Sequence, residues 1–238
     1  MRKKRFLIAG LGLAISIVVA GTAISAPAIQ TMDVEVGGKS APKFDKKKFK
    51  PTSLKFSSKV SDAANPSGIP PKATKVALKF DSKDFKFNTK AVPGCSPSAL
   101  ENTTTDAAKS ACAKSVIGSG NGVAALPLGA GGGRADFPAV ITAFNKSGGS
   151  GILLHARVGP PVNSTVVLNG SVKRTTLNVN LPPIAGGGGA IASFTVKVSK
   201  KDYVQARCTD KKLATTGTFT FRDAPTVTVK DTQKCKQS

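Results

Sequence analysis

Tryptophan is absent from this chain, and tyrosine and histidine occur once each, as Tyr203 and His155. Proteins that read single-stranded nucleic acid stack bases on aromatic side chains and add arginine forks. The body of the chain has neither in quantity; past residue 28 its arginines are Arg134, Arg157, Arg174, Arg207 and Arg222. A specific nucleic-acid partner is therefore not expected. Sugar-cleaving enzymes also lean on aromatic platforms, which weakens a paired-carboxylate glycosidase reading. A general base at His155 needs a nucleophile and an orienting carboxylate within reach, and the sequence places neither beside it. Strand alternation sets His155 on the face of Leu153 and Arg157, as a structural or surface residue. No C-x₂-C pair is present, so the four cysteines do not spell a zinc site. No G-x-S-x-G elbow or S-x-x-K set stands in a supporting context. No catalytic residue, cofactor or metal ligand is assigned.

A second long apolar run is also missing, which makes the first one informative. Met1-Arg2-Lys3-Lys4-Arg5 is a compact positive cluster, and residues 6–24 follow without a charge. The small-residue stretch Ser25-Ala26-Pro27-Ala28 comes next. This order is that of a secretory signal. Cleavage after Ala28 or after Ser25 has similar merit, and the signal peptide is placed at 1–28. The uncharged run is 19 residues long, close to the lower length of a membrane span, so an uncleaved anchor with the body outside is the alternative. In the secreted case the membrane is met only through the signal segment, and the body is expected to be an extracellular monomer.

Acidic residues are scarce, 13 against 35 basic ones. Four of the basic residues belong to the leader cluster, which leaves 31 against 13, a net charge of +18. Residues 39–90 hold fourteen lysines against Asp45, Asp62, Asp81 and Asp84. Such a field suits acidic partners, and Lys46, Lys47, Lys48 and Lys50 form its densest run, a contact for anionic cell-envelope polymers. The plainer role of the same lysines is to solvate exposed strand faces.

Residues 31–36 alternate apolar and polar, as a half-buried strand does. A Lys/Pro-rich connector extends from there to residue 51, with Phe44 and Phe49 able to tack it to a core. Residues 52–60 alternate again, and 75–80 with 85–89 read as a hairpin around Asp81-Ser82-Lys83-Asp84. The alanine-rich segment at 97–115 is the one helical insert, with N-cap threonines and Asp106 in its first turn. From residue 122 on, short strands at 122–128, 137–145, 152–158, 164–172, 175–181, 190–198, 203–208, 216–221 and 226–230 are separated by turn residues. The reading is an all-β antiparallel sandwich over 52–238, preceded by a strand and connector at 29–51.

Four cysteines in an exported chain favour two disulfides, for which three pairings exist. Sequence proximity favours Cys95–Cys112 and Cys208–Cys235. The first would clamp both ends of the helical insert, and the second would tie down the tail. Each loop implies about 3–4 kcal/mol in the chain-entropy model. The glycine runs at 129–133, 148–151 and 186–189 precede strands, without the Lys-Ser/Thr of a phosphate loop, and read as hairpin loops. Asp81 with Asp84, and Asp210, Asp223 and Asp231, match no calcium-binding repeat and read as turn acids.

Pro93-Gly94-Cys95, Asn102-Thr103-Thr104-Thr105 and Ala111-Cys112 resemble a pattern found in a group of uncharacterised secreted proteins of high-GC Gram-positive bacteria. Leu181-Pro182-Pro183-Ile184-Ala185-Gly186-Gly187, Cys208-Thr209-Asp210-Lys211-Lys212 and Asp231-Thr232-Gln233-Lys234-Cys235 extend the resemblance over most of the body. It implies a secreted, Lys-rich, two-disulfide β protein and carries no activity. The expected role is thus non-enzymatic, extracellular or envelope-associated. The alternatives are a secreted hydrolase with an unrecognised carboxylate site, or a surface structural or adhesin module.

Overall fold

The computed structural model describes residues 27–38, 40–129, 133–149 and 151–238. The basic cluster and apolar run of the leader lie outside the described residues. Period-two patterning dominates the body, so the chain forms strands: β1 (Ala28–Val36), β2 (Lys43–Phe44), β3 (Lys50–Thr52), β4 (Leu54–Asp62), β5 (Ala73–Phe80) and β6 (Phe85–Phe87). After the helical insert come β7 (Val116–Leu128), β8 (Gly133–Asn145), β9 (Gly151–Val158), β10 (Ser164–Lys173), β11 (Thr176–Asn180) and β12 (Ala190–Val198). The chain ends with β13 (Val204–Ala206), β14 (Lys212–Phe221), β15 (Val227–Lys234) and β16 (Lys236–Gln237). Ala28 is buried and pairs with Asp62 in the first rung of β1. A leader removed after Ser25 leaves that rung whole, whereas removal after Ala28 takes it away.

Eleven strands build one sheet in the order β1-β4-β12-β7-β8-β9-β10-β11-β5-β14-β15. The all-β antiparallel expectation holds, but the strands curl into one nearly closed barrel where the pattern suggests two facing sheets. Alternation reports one dry and one wet face, which a sandwich and a barrel share; only the pairing distinguishes them. β15 returns to lie beside β1. That seam is closed by side chains in place of a backbone ladder. Asp231 Oδ2 accepts the Val34 N–H and Gln233 Oε1 the Val36 N–H, both at 2.7 Å. Gln233 Nε2 donates in turn to the Gly38 carbonyl at 2.7 Å.

One end of the barrel is plugged. The hairpin expected between residues 75–80 and 85–89 does not form, because both edges of β5 are taken, by β11 and by β14. Instead β6 joins β13 and β3 in a three-stranded sheet. Phe85 and Phe87 pack on Phe80, with ring centroids 5.1 and 5.2 Å away. Tyr203, buried beside them in the main core, donates to Asn145 Oδ1 at 3.1 Å. Asn145 Nδ2 donates to the carbonyls of Val92 (2.6 Å) and Thr89 (2.9 Å), so this buried amide is satisfied. The Cys208–Cys235 disulfide ties the tail to the same end, where β16 pairs with β2.

The helical insert is shorter than its sequence suggests. It consists of α1 (Thr105–Ala111) between 3₁₀ turns at Pro97–Ala99 and Ala113–Ser115. Thr104 caps α1 by accepting the Ala107 N–H, and Asp106 lies in the first turn. The Cys95–Cys112 disulfide clamps the insert onto the outer face of β8 and β9. Ala108 and Leu100 pack there on Phe144 and Leu153. The next strand begins at Val116, six residues before the position its pattern indicates. Gly118 and Gly120 disguise it, yet they serve the sheet: a Cβ at Gly120 would collide with the Thr195 carbonyl oxygen of β12.

Candidate functional site

At the plugged end, the turn between β2 and β3 exposes Lys46, Lys47 and Lys48, and Lys50 is exposed at the first position of β3. The neighbouring acid does not neutralise them by side-chain pairing. Asp45 Oδ1 accepts the backbone N–H groups of Lys47 (2.7 Å) and Lys48 (2.8 Å). Those bonds, that from Lys48 the larger, hold its carboxyl below the usual carboxylate value. Arg207 joins the group: its guanidinium lies 4.6 Å from the Phe49 ring centroid and donates to the Lys47 carbonyl at 3.0 Å. It also bonds the Lys83 carbonyl, which brings the Asp81–Asp84 turn alongside. Asp84 is buried and accepts the N–H and hydroxyl of Thr209, so it braces the turn. Phe44 is buried and tacks the connector to the core, as its sequence suggests.

The lone histidine lies under the helical insert, fully buried. His155 Nε2 is 3.1 Å from both the carbonyl and the hydroxyl of Thr103. Because the Thr103 hydroxyl donates to the Leu100 carbonyl at 2.7 Å, Nε2–H is assigned as the donor to Thr103 O. Burial pushes the imidazole below its ordinary pKa, and it stays neutral near pH 7. Among the described residues its Nδ1 and the hydroxyl of its cross-strand partner Thr142 meet no hydrogen-bond partner.

The barrel interior holds a feature that no local sequence pattern announces. Inward side chains of β1, β4, β5, β9, β10, β11, β12 and β14 enclose a hollow of about 110 Å³. Phe56, Val76, Leu177, Leu181 and Phe194 all line it and all stay only half-buried. A second hollow, of about 140 Å³, shares Leu168, Ile191 and Phe194 with the first. A third, of about 100 Å³, meets both at Ile191. The polar side chains in the first are Gln30 and Ser58, and these bond each other at 2.8 Å.

The glycine run at 186–189, read from sequence as a hairpin loop, is not one. β11 and β12 are separated by four strands in the sheet, so the connection 181–189 has to cross the barrel end opposite the plug. Pro182, Ile184 and Gly189 face the hollows beneath it. Gly186 and Gly187 take φ of 65° and 92°, which L side chains rarely adopt. Arg222 Nη2 donates to the Gly187 carbonyl at 2.6 Å and pins the segment. Beside it, Lys72 pairs with Asp223 at 2.9 Å. Burial pushes the Asp223 carboxyl up, but the Lys72 backbone N–H and ammonium outweigh it and leave its pKa lowered. On the same rim Arg134 pairs with Asp136 (2.6 Å) and donates to the Gly68 carbonyl (3.0 Å).

The acids singled out from sequence thus serve separate duties. Asp81 holds the Lys83 N–H, Asp84 holds Thr209, Asp223 holds Lys72, and Asp231 closes the seam. Among the described residues no three of His, Cys, Asp and Glu gather as a metal site would require.

Fold and site together define the class: an antiparallel β-barrel with two disulfides, plugged at a basic end and hollow beneath a crossing segment at the other. The disulfides mark an oxidising environment. Among the described residues no helix is long and apolar enough to cross a membrane. No family model matches the sequence, and no curated protein does. Among solved structures, the chain is similar to a DUF4466 family protein from Parabacteroides merdae, with a TM-score of 0.34 and 8% identity. The match covers 89% of this chain and 45% of that one, so the chain spans less than half that protein's length. A likeness at this level carries no argument.

Proposed function

We propose that the chain is an exported, non-enzymatic protein of the cell exterior or envelope that holds weakly to anionic polymers through Lys46, Lys47, Lys48 and Lys50. The observation that carries this reading is the exposure of all four lysines along one turn and the first residue of the strand after it, where the acid of the turn, Asp45, is spent on backbone N–H groups. Arg207, fixed against Phe49, adds a further cation to the same end. Export is supported by the leader pattern and by the two disulfides. The secreted bacterial group that the sequence resembles is of the same kind. A non-catalytic role is favoured by the engagement of Asp81, Asp84, Asp223 and Asp231 and by the full burial of His155, whose neighbour Thr103 commits its hydroxyl to the Leu100 carbonyl.

Retention on an immobilised polyanion such as dextran sulfate tests this reading. The protein should be held progressively less as salt rises, because screening shortens the reach of exposed charge. Replacing the four lysines by glutamine should shift elution to clearly lower salt. Retention unmoved by salt, or unmoved by the four substitutions, would overturn it.

A further inference from the structure

The barrel interior points to a ligand of a different kind, at the end away from the lysines. A barrel of eight strands is just wide enough for side chains to fill, and width grows with strand number. Eleven strands leave more room, and the plug of β3, β6 and β13 takes up one end of it. The space takes the form of three joined hollows of about 110, 140 and 100 Å³ that meet at Ile191. Water is a poor occupant of the first, since its two polar side chains, Gln30 and Ser58, bond each other and the remaining walls are hydrocarbon. The half-buried Phe56, Val76 and Phe194 line the hollow yet keep accessible surface, so it presents apolar area that nothing among the described residues covers.

We propose that the barrel interior binds one linear acyl chain with an anionic head, the chain running past Ile191 and Phe194 and the head resting on Arg222. The shape of the space favours a flexible chain over a compact ring, because its volume is divided among three hollows that adjoin at Ile191. The segment 181–189 supplies the cover. It crosses the end, presents Pro182 and Ile184 to the hollows, and is pinned from outside by Arg222. Arg222 is exposed and, among the described residues, has no ion-pair partner, whereas its neighbour Lys72 is committed to Asp223. One of its donors serves the Gly187 carbonyl, which leaves the rest of the fork for a carboxylate or phosphate. Leu128, at the last rung of β7 on this rim, and Ile29, at the start of β1, are exposed and extend the apolar surface outward. This site is independent of the polymer reading, whose lysines lie at the plugged end.

The test is a titration of the exported protein with cis-parinaric acid, whose fluorescence rises in apolar surroundings, followed by displacement with palmitate and with hexadecanol. Saturable, one-to-one binding is expected. Ile191→Trp should fill the junction and abolish it, with circular dichroism checking that the barrel is intact. Arg222→Gln does not depend on repacking the interior; it also frees the Gly187 carbonyl, so both ligands can lose affinity, but palmitate should weaken about tenfold more than hexadecanol. Extraction of phosphatidylglycerol from vesicles, scored beside free palmitate, separates a lipid from a free acid as the source. Absence of saturable parinaric acid binding would overturn the site. Equal binding by a folded Ile191→Trp variant would place the probe elsewhere and overturn it too. Equal losses for palmitate and hexadecanol in Arg222→Gln would overturn the role of the head group.

Discussion

His155 shows how one buried side chain sets a pH response. Its imidazole is fully buried, held at Nε2 by Thr103, and its pKa lies below the ordinary value because burial disfavours the charged ring. The unfolded chain titrates near about 6.5. Below that pH the unfolded state takes up a proton that the folded state refuses. The histidine's contribution to stability is therefore full above about 6.5 and is lost as pH falls from there toward the lower folded-state value. Urea midpoints measured from pH 7.5 down to 5 should decline in the wild type. The decline should flatten in His155→Leu, and an undiminished slope in that variant would assign the response to other groups. The role of this residue was partly legible in the sequence. Alternation places it correctly on the face of Leu153, but that face is covered by a helical insert fifty residues earlier in the chain.

Among the elements, β1 and β15 carry the closure of the barrel. Neither offers the other a backbone ladder, and Asp231 and Gln233 supply the acceptors for the Val34 and Val36 N–H groups. Replacing both by alanine removes three seam hydrogen bonds, that to the Gly38 carbonyl included, and should cost about 3 kcal/mol at about 1 kcal/mol for each. It should also speed amide exchange across β1. Unchanged exchange in β1 would mean that its ladder with β4 alone holds the strand. These two residues lie past the strand read at 226–230, in the part of β15 that the sequence reading left out, and their sequence carries no sign of a seam. The same limit governs β5 and β6: the turn at 81–84 looks like a hairpin, and only competition from β11 and β14 prevents one. The start of β7 is hidden for another reason, because Gly118 and Gly120 lower strand propensity while permitting close approach to β12. Patterns confined to one strand survive in the sequence, and choices between partners do not.

The whole molecule has two unlike ends. Cysteine placement, the lysine run and the all-β patterning make the plugged, basic end legible in the sequence, down to both disulfide pairings. The hollow end is not legible there, because its walls come from eight strands scattered between residues 30 and 219. The one local clue is the Leu-Pro-Pro-Ile-Ala-Gly-Gly-Gly-Gly segment, which is longer and more apolar than a hairpin turn requires. The barrel pairing gives that segment its task of crossing the open end.

What sets this barrel apart from one packed solid is an accessible apolar interior. Crystals of the protein pressurised with xenon probe it without any assumption about the ligand, since apolar cavities of this size stay dry and take up xenon. Xenon density is expected inside the barrel beside Ile191 and Phe194, beneath the 181–189 segment. An interior filled by side chains or by ordered water, with no xenon there, would show that the barrel has no room for an acyl chain.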